Sequence, residues 1–316
     1  RGMPHITYYH NTAGLMYAHG EAELTFLPLL LRNYPQLDRY AVIIGVADYL
    51  YDDSHPVTHC MFLADLPYPD NDASNLRSTL INYGGFEPSN ILMLTDSQAT
   101  KAGIQSAITS WLDSREDADD QVVVYFAGHG MRDNDVFPYD ETDFLDEFLI
   151  PHDWACDLDS AIADDELDSW LDNLESQQVT VLFDSCHSGG MIETRPGGEQ
   201  DCHCRCLPPV SGTRGRPVAG DGIAADVDQA GRLILTASAE DEESWECGSL
   251  QSGVFSYYLR RALRSGSADT SGNGWVSGEE AFVHLVPGVM AETCYLEWQN
   301  PQISDGTPGE EDLTQP

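Results

Sequence analysis

Two short apolar runs, Val122 to Phe126 and Val179 to Phe183, constrain this chain more than any other feature. Both are rich in β-branched and aromatic residues, and each stops at a glycine-flanked polar box. Apolar runs this short that do not alternate with polar residues are strands covered on both faces, as in a parallel sheet. Similar runs recur at Tyr40 to Val46, Asn90 to Leu94 and Arg232 to Thr236, with helical spacing between them. Asp72 to Tyr83 carries Ala73, Leu76 and Leu80 on one face and ends at Gly84-Gly85. Thr100 opens a helix that turns Ile104, Ala107, Ile108, Trp111 and Leu112 inward. Further helical patterns occupy Asp164 to Leu174, Val254 to Leu263 and the residues after Glu279, whereas Met131 to Ser160 reads as acidic and irregular. Strands alternating with helices predict an α/β fold with a mostly parallel central sheet and helices on both faces.

The first run delivers Gly128-His129-Gly130 and the second Asp184-Ser185-Cys186-His187-Ser188-Gly189. Open α/β sheets bind ligands beyond the carboxyl ends of their strands, where both boxes fall. A thiol attacks as its thiolate, and a neighbouring imidazole can take its proton. The pattern therefore predicts a cysteine-histidine dyad for acyl transfer, with Cys186 attacking a carbonyl and His129 protonating the leaving amine. The backbone N–H groups of Cys186 and Gly130 are the candidate oxyanion-hole donors, because glycine lets the main chain approach closely. The bland alternative, a packed cysteine and a satisfied core histidine, would have to hold at both boxes at once. His187 alternates with Cys186 in direction and reads as a brace of its loop.

Together these boxes resemble those of the caspase-like cysteine peptidases, and most closely the metacaspases and their prokaryotic relatives, the orthocaspases. The resemblance runs from about Tyr40 to Asp305 through Ile44-Gly45-Val46, Asn71-Asp72-Ala73, Asp164-Asp165-Glu166-Leu167, Thr236-Ala237-Ser238, Gly253-Val254-Phe255-Ser256 and Gln299-Asn300-Pro301-Gln302. It implies a caspase-like three-layer sandwich and hydrolysis of peptide bonds. Asp72 and Asp184 match positions where metacaspases place acidic specificity residues. Two carboxylates in a desolvated pocket suit a guanidinium or an ammonium, so cleavage after Arg or Lys in basic protein or peptide substrates is expected. Asp72 could instead cap a helix. Ala127 departs from the family, which often has Ser before Gly-His-Gly. Two alternatives stay open: a different residue preference at the cleaved bond, or a non-catalytic, calcium-responsive interaction module.

Calcium is expected at two places. Asp269 to Glu280 fits the twelve-residue EF-hand loop, with side-chain oxygens at Asp269, Ser271, Asn273 and Ser277. The carbonyl of Trp275, a glycine at position six and Glu280 at position twelve complete it. The alternative is a polar turn between helices. The second set follows from the resemblance: calcium-dependent metacaspases gather carboxylates that match Asp146, Asp164, Asp165 and Glu193 here. Without an ion, mutual repulsion would splay the nucleophile loop, which makes a switch. No organic cofactor is expected.

Bulk properties narrow the partners. The 316-residue chain has 15 basic and 53 acidic residues, a net charge of −38. Such a field argues against nucleic acid and anionic membrane and favours basic peptides and divalent cations. Adaptation to high salt gives the same composition. No apolar run nears the roughly 20 residues of a membrane helix; Leu24 to Leu31 is the longest. Eight cysteines without framework spacing are expected to be reduced; a cytoplasmic setting is favoured, and secretion stays open because the chain begins at Arg1 and a processed start could have removed a signal peptide. Cys202-His203-Cys204-Arg205-Cys206 is too tightly spaced for a common zinc site and reads as incidental thiols in a loop. The predicted organisation is an N-terminal extension (1–38), a peptidase domain (39–305) and an acidic tail (306–316), acting as a monomer. A long loop, 193–230, offers Arg195, Arg205, Arg214 and Arg216 for self-cleavage. Arg216 is the poorest target, because Pro217 removes the N–H of that bond.

Overall fold

The computed structural model describes residues 37–52, 63–134, 145–185, 202–204, 223, 227, 229–239, 242–293, 299–307 and 309–316. In chain order the elements begin β1 (Arg39–Gly45), α1 (Pro69–Tyr83), β2 (Ile91–Thr95), α2 (Lys101–Ser106) and β3 (Gln121–Ala127). Next come β4 (Gly130–Asn134), β5 (Leu145–Leu149), β6 (Ile162–Ala163), α3 (Asp164–Leu171), β7 (Gln178–Asp184) and β8 (Cys202–Cys204). The chain continues with β9 (Arg232–Thr236), β10 (Trp245–Cys247), β11 (Ser252–Gly253), α4 (Val254–Leu263) and β12 (Val276–Ser277). It closes with α5 (Gly278–Thr293), β13 (Gln302–Asp305) and β14 (Asp312–Thr314).

The central sheet has six strands in the order β13-β9-β7-β3-β1-β2. All neighbours are parallel except β13, which runs antiparallel to β9 at the edge. Successive strand side chains point to opposite faces, and the two cores sort accordingly. Val42, Ile44, Val124, Phe126, Val181 and Phe183 pack with Ile104, Ile108 and Trp170 on one face. Ile43, Val123, Tyr125 and Leu235 pack with Leu76, Leu80, Phe255 and Leu285 on the other. A fully buried Leu, Ile or Phe contributes about 1.5–3 kcal/mol of transfer free energy. That is why continuous apolar strands need helices on both sides, and the result is a three-layer α/β sandwich. β1 lies inside β2, so the order reverses between β1 and β3. That reversal opens a crevice at the carboxyl ends of these strands.

Local signals act as the sequence suggests in several places. Thr100 caps α2, its side chain accepting from Gly103 N, and the helix widens into a π-helical turn over Ala107–Leu112. Elsewhere the structure corrects the reading. The stretch read as irregular, Met131 to Ser160, holds most of β4 and all of β5, which with β6 just beyond it form a separate antiparallel sheet. It carries no hydrophobic alternation because its buried positions include Arg132, Asp133, Asp146 and Glu147. Cys202–Cys204 is a strand, β8, rather than loop, in register with Trp245–Cys247. Cys156 and Cys247 are disulfide-bonded, against the expectation of reduced thiols. Residues 312–314, in what the sequence sets apart as an acidic tail, pair with β12 and bury Leu313. Among the described residues no helix is long and apolar enough to cross a membrane. Arg1 to Gln36, with the apolar run Leu24 to Leu31, lies outside them, as do Arg195, Arg205, Cys206, Arg214 and Arg216.

Candidate active site

The histidine box is built where β3 runs out. His129 is 1% exposed. Its backbone N–H donates to Tyr49 Oη at 2.8 Å, and the two rings lie 5.1 Å apart. Its Nε2 lies 2.8 Å from the carbonyl oxygen of Ala64. A carbonyl can only accept, so Nε2 carries the hydrogen and Nδ1 holds the lone pair of the neutral ring. Gly128 is needed for this close approach: a Cβ there would stand 3.0 Å from Tyr49 Oη and 3.2 Å from the Phe126 ring. Gly130 is buried at the first position of β4.

β7 brings the second box alongside. It runs parallel to β3 with Ala127 opposite Asp184, and Gly128 N reaches Asp184 O at 3.4 Å. Both boxes thus leave the sheet at one rim, on neighbouring strands. Ser185 is fully buried, and its Oγ has no hydrogen-bond partner among the described residues. Cys186, His187 and Glu193 lie outside the described residues.

The two predicted pocket carboxylates meet at the start of α4. Asp72 accepts from Ser252 Oγ and from Gly253 N, the latter at 2.8 Å. Asp184 accepts from Ser244 Oγ at 3.0 Å and from Ser256 N at 3.2 Å. Both are buried, at 2% and 0% exposed. Asp72 does not cap its own helix, because the cap position of α1 is Tyr68. Instead the two acids accept N–H groups at the amino end of α4, whose dipole favours negative charge. Glu246, which the sequence reading missed, is fully buried on β10 opposite Gly253.

Comparison with known proteins now bears on this arrangement. Residues 38–302 match the family model described as the caspase domain. The chain belongs to the caspase domain family. It is 28% identical over 244 residues to Metacaspase-1 of Eremothecium gossypii, covering 74% of this chain and 47% of that protein. It is 36% identical over 131 residues to Metacaspase-1 of Yarrowia lipolytica, covering 39% and 28%. The chain thus spans about half, or less, of the length of these curated relatives. Among solved structures it resembles a Geobacter sulfurreducens protein (TM-score 0.59, 20% identity, 88% of this chain and 97% of that one). It also resembles caspase-1 of Spodoptera frugiperda (TM-score 0.52, 14% identity, 90% and 95%). At such identities these two likenesses establish the fold alone, and it is the sandwich expected from the sequence.

The caspase domain holds its two candidate cation regions in different ways. Asp146 on β5 and Asp164 and Asp165 on α3 bring ligand oxygens within 4.8 Å of one another. Asp146 is 0% and Asp164 1% exposed. Burial pushes the Asp164 carboxyl up to about 6, with Asp165 adding to the rise, although Glu147 N and Asp165 N donate to it. The 269–280 loop instead closes on its own backbone. Glu280 Oε1 accepts from Thr270 N, Thr270 Oγ1 and Ser271 N at 2.7–3.0 Å, and Oε2 accepts from Ser277 N at 3.2 Å. Burial opposes ionisation of Glu280, yet these donors hold its carboxyl below the usual range. Asp269 accepts from Gly272, Asn273 and Gly274 N–H, and Asn273 Oδ1 from Trp275 N. The loop sits by the opposite rim: the guanidinium of Arg39, first residue of β1, lies 4.5 Å from the Trp275 ring centre.

Proposed function

We propose that this caspase domain is a calcium-dependent cysteine endopeptidase that cleaves after Arg or Lys through Cys186 and His129. One observation carries the reading: His129, its tautomer fixed by Ala64, ends the strand beside the one that leads into Cys186. In the first step the Cys186 thiolate adds to the scissile carbonyl carbon. The oxyanion forms against the N–H groups of Cys186 and Gly130. The carbon–nitrogen bond breaks as imidazolium His129 gives its proton to the departing amine, leaving an acyl-thioester. Water then loses a proton to His129 and adds to the thioester, and the thiolate leaves.

Asp72 and Asp184 support the basic preference. Their described donors are neutral hydroxyl and N–H groups, and two carboxylates so placed suit a guanidinium or ammonium.

Three carboxylates with oxygens inside 4.8 Å, two of them fully buried, fit a hard divalent cation. Asp146, Asp164 and Asp165 would hold calcium, with Glu193 as the further expected ligand. The bound ion would cancel the repulsion between these groups. The loop with Asp269, Ser271, Asn273, Trp275, Ser277 and Glu280 is a second, weaker candidate. Glu280 would have to release Thr270 and Ser271 to ligate through both oxygens. Self-cleavage within 193–230 belongs to the same proposal and would convert the intact chain to two fragments on calcium addition.

The test is turnover of fluorogenic peptides ending in Arg, Lys or Asp, with calcium and with chelator, beside Cys186→Ala. The expected result is calcium-dependent turnover of the Arg and Lys peptides that the variant lacks. Turnover of the Asp peptide alone would overturn the pocket assignment.

A further inference from the structure

Besides the Ala64 carbonyl, the chain after β1 touches His129 by a second route. Tyr49 Oη accepts the backbone N–H of His129, and its ring lies against the imidazole. From the same residue, Tyr49 N donates to Asp65 Oδ1 at 3.0 Å. Asp65 follows Ala64, whose carbonyl faces His129 Nε2. A backbone bond from Leu66 N to Ala47 O at 2.8 Å ties the same two segments on the other side of Asp65. Three hydrogen bonds and one chain link close a ring: His129 to Tyr49, Tyr49 to Asp65, along the chain to Ala64, and back to His129.

The anchor of that ring is itself held. Asp96 Oδ1 accepts from Ala47 N and Asp48 N at 2.9 and 3.0 Å. His152 Nδ1 lies 2.6 Å from Asp48 O, and Leu50 N donates to His152 O at 2.9 Å. Tyr49 is 2% exposed, so ring and hydroxyl are fixed by packing as well as by bonding. Burial, together with Asp48, Asp52 and Asp96, pushes the Asp65 carboxyl above its usual range, against the pull of Tyr49 N–H. Among the described residues, the charged or titratable groups around this ring are Asp48, Asp52, Asp65, Asp96 and His152, with Tyr49 on the imidazole itself.

We infer that Tyr49 and Asp65 are positioning residues that keep the Ala64 carbonyl on His129 Nε2 and so hold the proton there and the lone pair on Nδ1. The carbonyl has no side chain to fix it, and its aim depends on the residue beside it. A carbonyl that accepts from Nε2–H also favours the imidazolium, so loosening the ring lowers the imidazole pKa. The inference rests on the dyad reading above, and the experiment separates the two.

The titration and tautomer of His129 are read by nitrogen-resolved NMR of the full chain carrying Cys186→Ala, which needs no turnover. Adding Tyr49→Phe or Asp65→Ala should move the His129 titration down by about half a unit or more and mix its tautomers. Asp65→Asn, which keeps the accepting oxygen, should restore both. In the active chain Tyr49→Phe and Asp65→Ala should lower kcat about tenfold with KM within twofold, and the alkaline limb of kcat/KM should move the same way as the titration. Arg232→Gln, which loosens the contacts to Asp168 and Asp172 across β9, should lower stability without moving either reading. An unmoved His129 titration and an unchanged kcat in folded Tyr49→Phe and Asp65→Ala proteins would overturn the assignment. Should the active chain show no Cys186-dependent turnover, the peptidase reading falls, and the NMR arm still decides this one.

Discussion

The two acidic regions of this caspase domain carry charge of one sign and stabilise it in opposite ways. At Asp146, Asp164 and Asp165 the carboxylates face one another, two of them fully buried, and burial resists the ionisation of Asp164. In the 269–280 loop Asp269 and Glu280 are surrounded by N–H donors, and those on Glu280 hold its carboxyl below the usual range. The loop has the better sequence pattern, and the trio has the greater electrostatic need for a cation. The availability of a carboxylate therefore depends on the donors around it, which a motif does not record.

Experiment can separate the two regions. The largest effect is expected from chelator on the wild type, a loss of Arg-peptide turnover of at least about tenfold. Asp146→Asn should abolish the calcium response, whereas Glu280→Gln should retain it; equal responses in both variants would erase the distinction.

Next comes pH. A folded pKa of about 6 for Asp164 lies above its unfolded value, so its contribution is fully present below the unfolded pKa and is lost as pH rises through about 6. Calcium-free protein should therefore gain stability from Asp164 on acidification from pH 7 to 4, by roughly 2 kcal/mol. Denaturant melts across that range should show a smaller slope for Asp164→Asn. Glu311, pushed to about 7 by burial first and then by neighbouring acids, adds a slope of the same sign that Glu311→Gln should remove.

Smaller still, Glu280→Gln should cost about 1–3 kcal/mol in urea unfolding, because it weakens charge-assisted bonds to Thr270, Ser271 and Ser277. The smallest change is expected for Trp275→Leu, which removes the stacking of Arg39 and should cost about 0.5–1 kcal/mol. A Trp275→Leu loss larger than that of Glu280→Gln would mean that the loop is held mainly by its outer face.

The sheet was legible because its strands are buried on both sides and so appear as unbroken apolar runs, with ends placed within a residue at β1, β3 and β7. The small β4-β5-β6 sheet was not, because Asp133, Asp146 and Glu147 occupy buried positions that pattern reading assigns to solvent. His129 stood out through its flanking glycines, and the pairing of Asp72 with Asp184 through resemblance alone. Ala64 could not be found from sequence, since it acts through a main-chain oxygen that every residue possesses. Tyr49 and Asp65 look like ordinary loop residues until β1 and β3 are placed side by side. Disulfides at Cys156 and Cys247 were missed because spacing alone does not fix which cysteines meet.

The two bridged sulfurs differ in access, since Cys247 is fully buried beside the pocket strands and Cys156 only half-buried. Reductants reach exposed bonds first. Reductant should therefore meet Cys156 before Cys247, which lies opposite Ser252 of β11, the hydroxyl donor to Asp72.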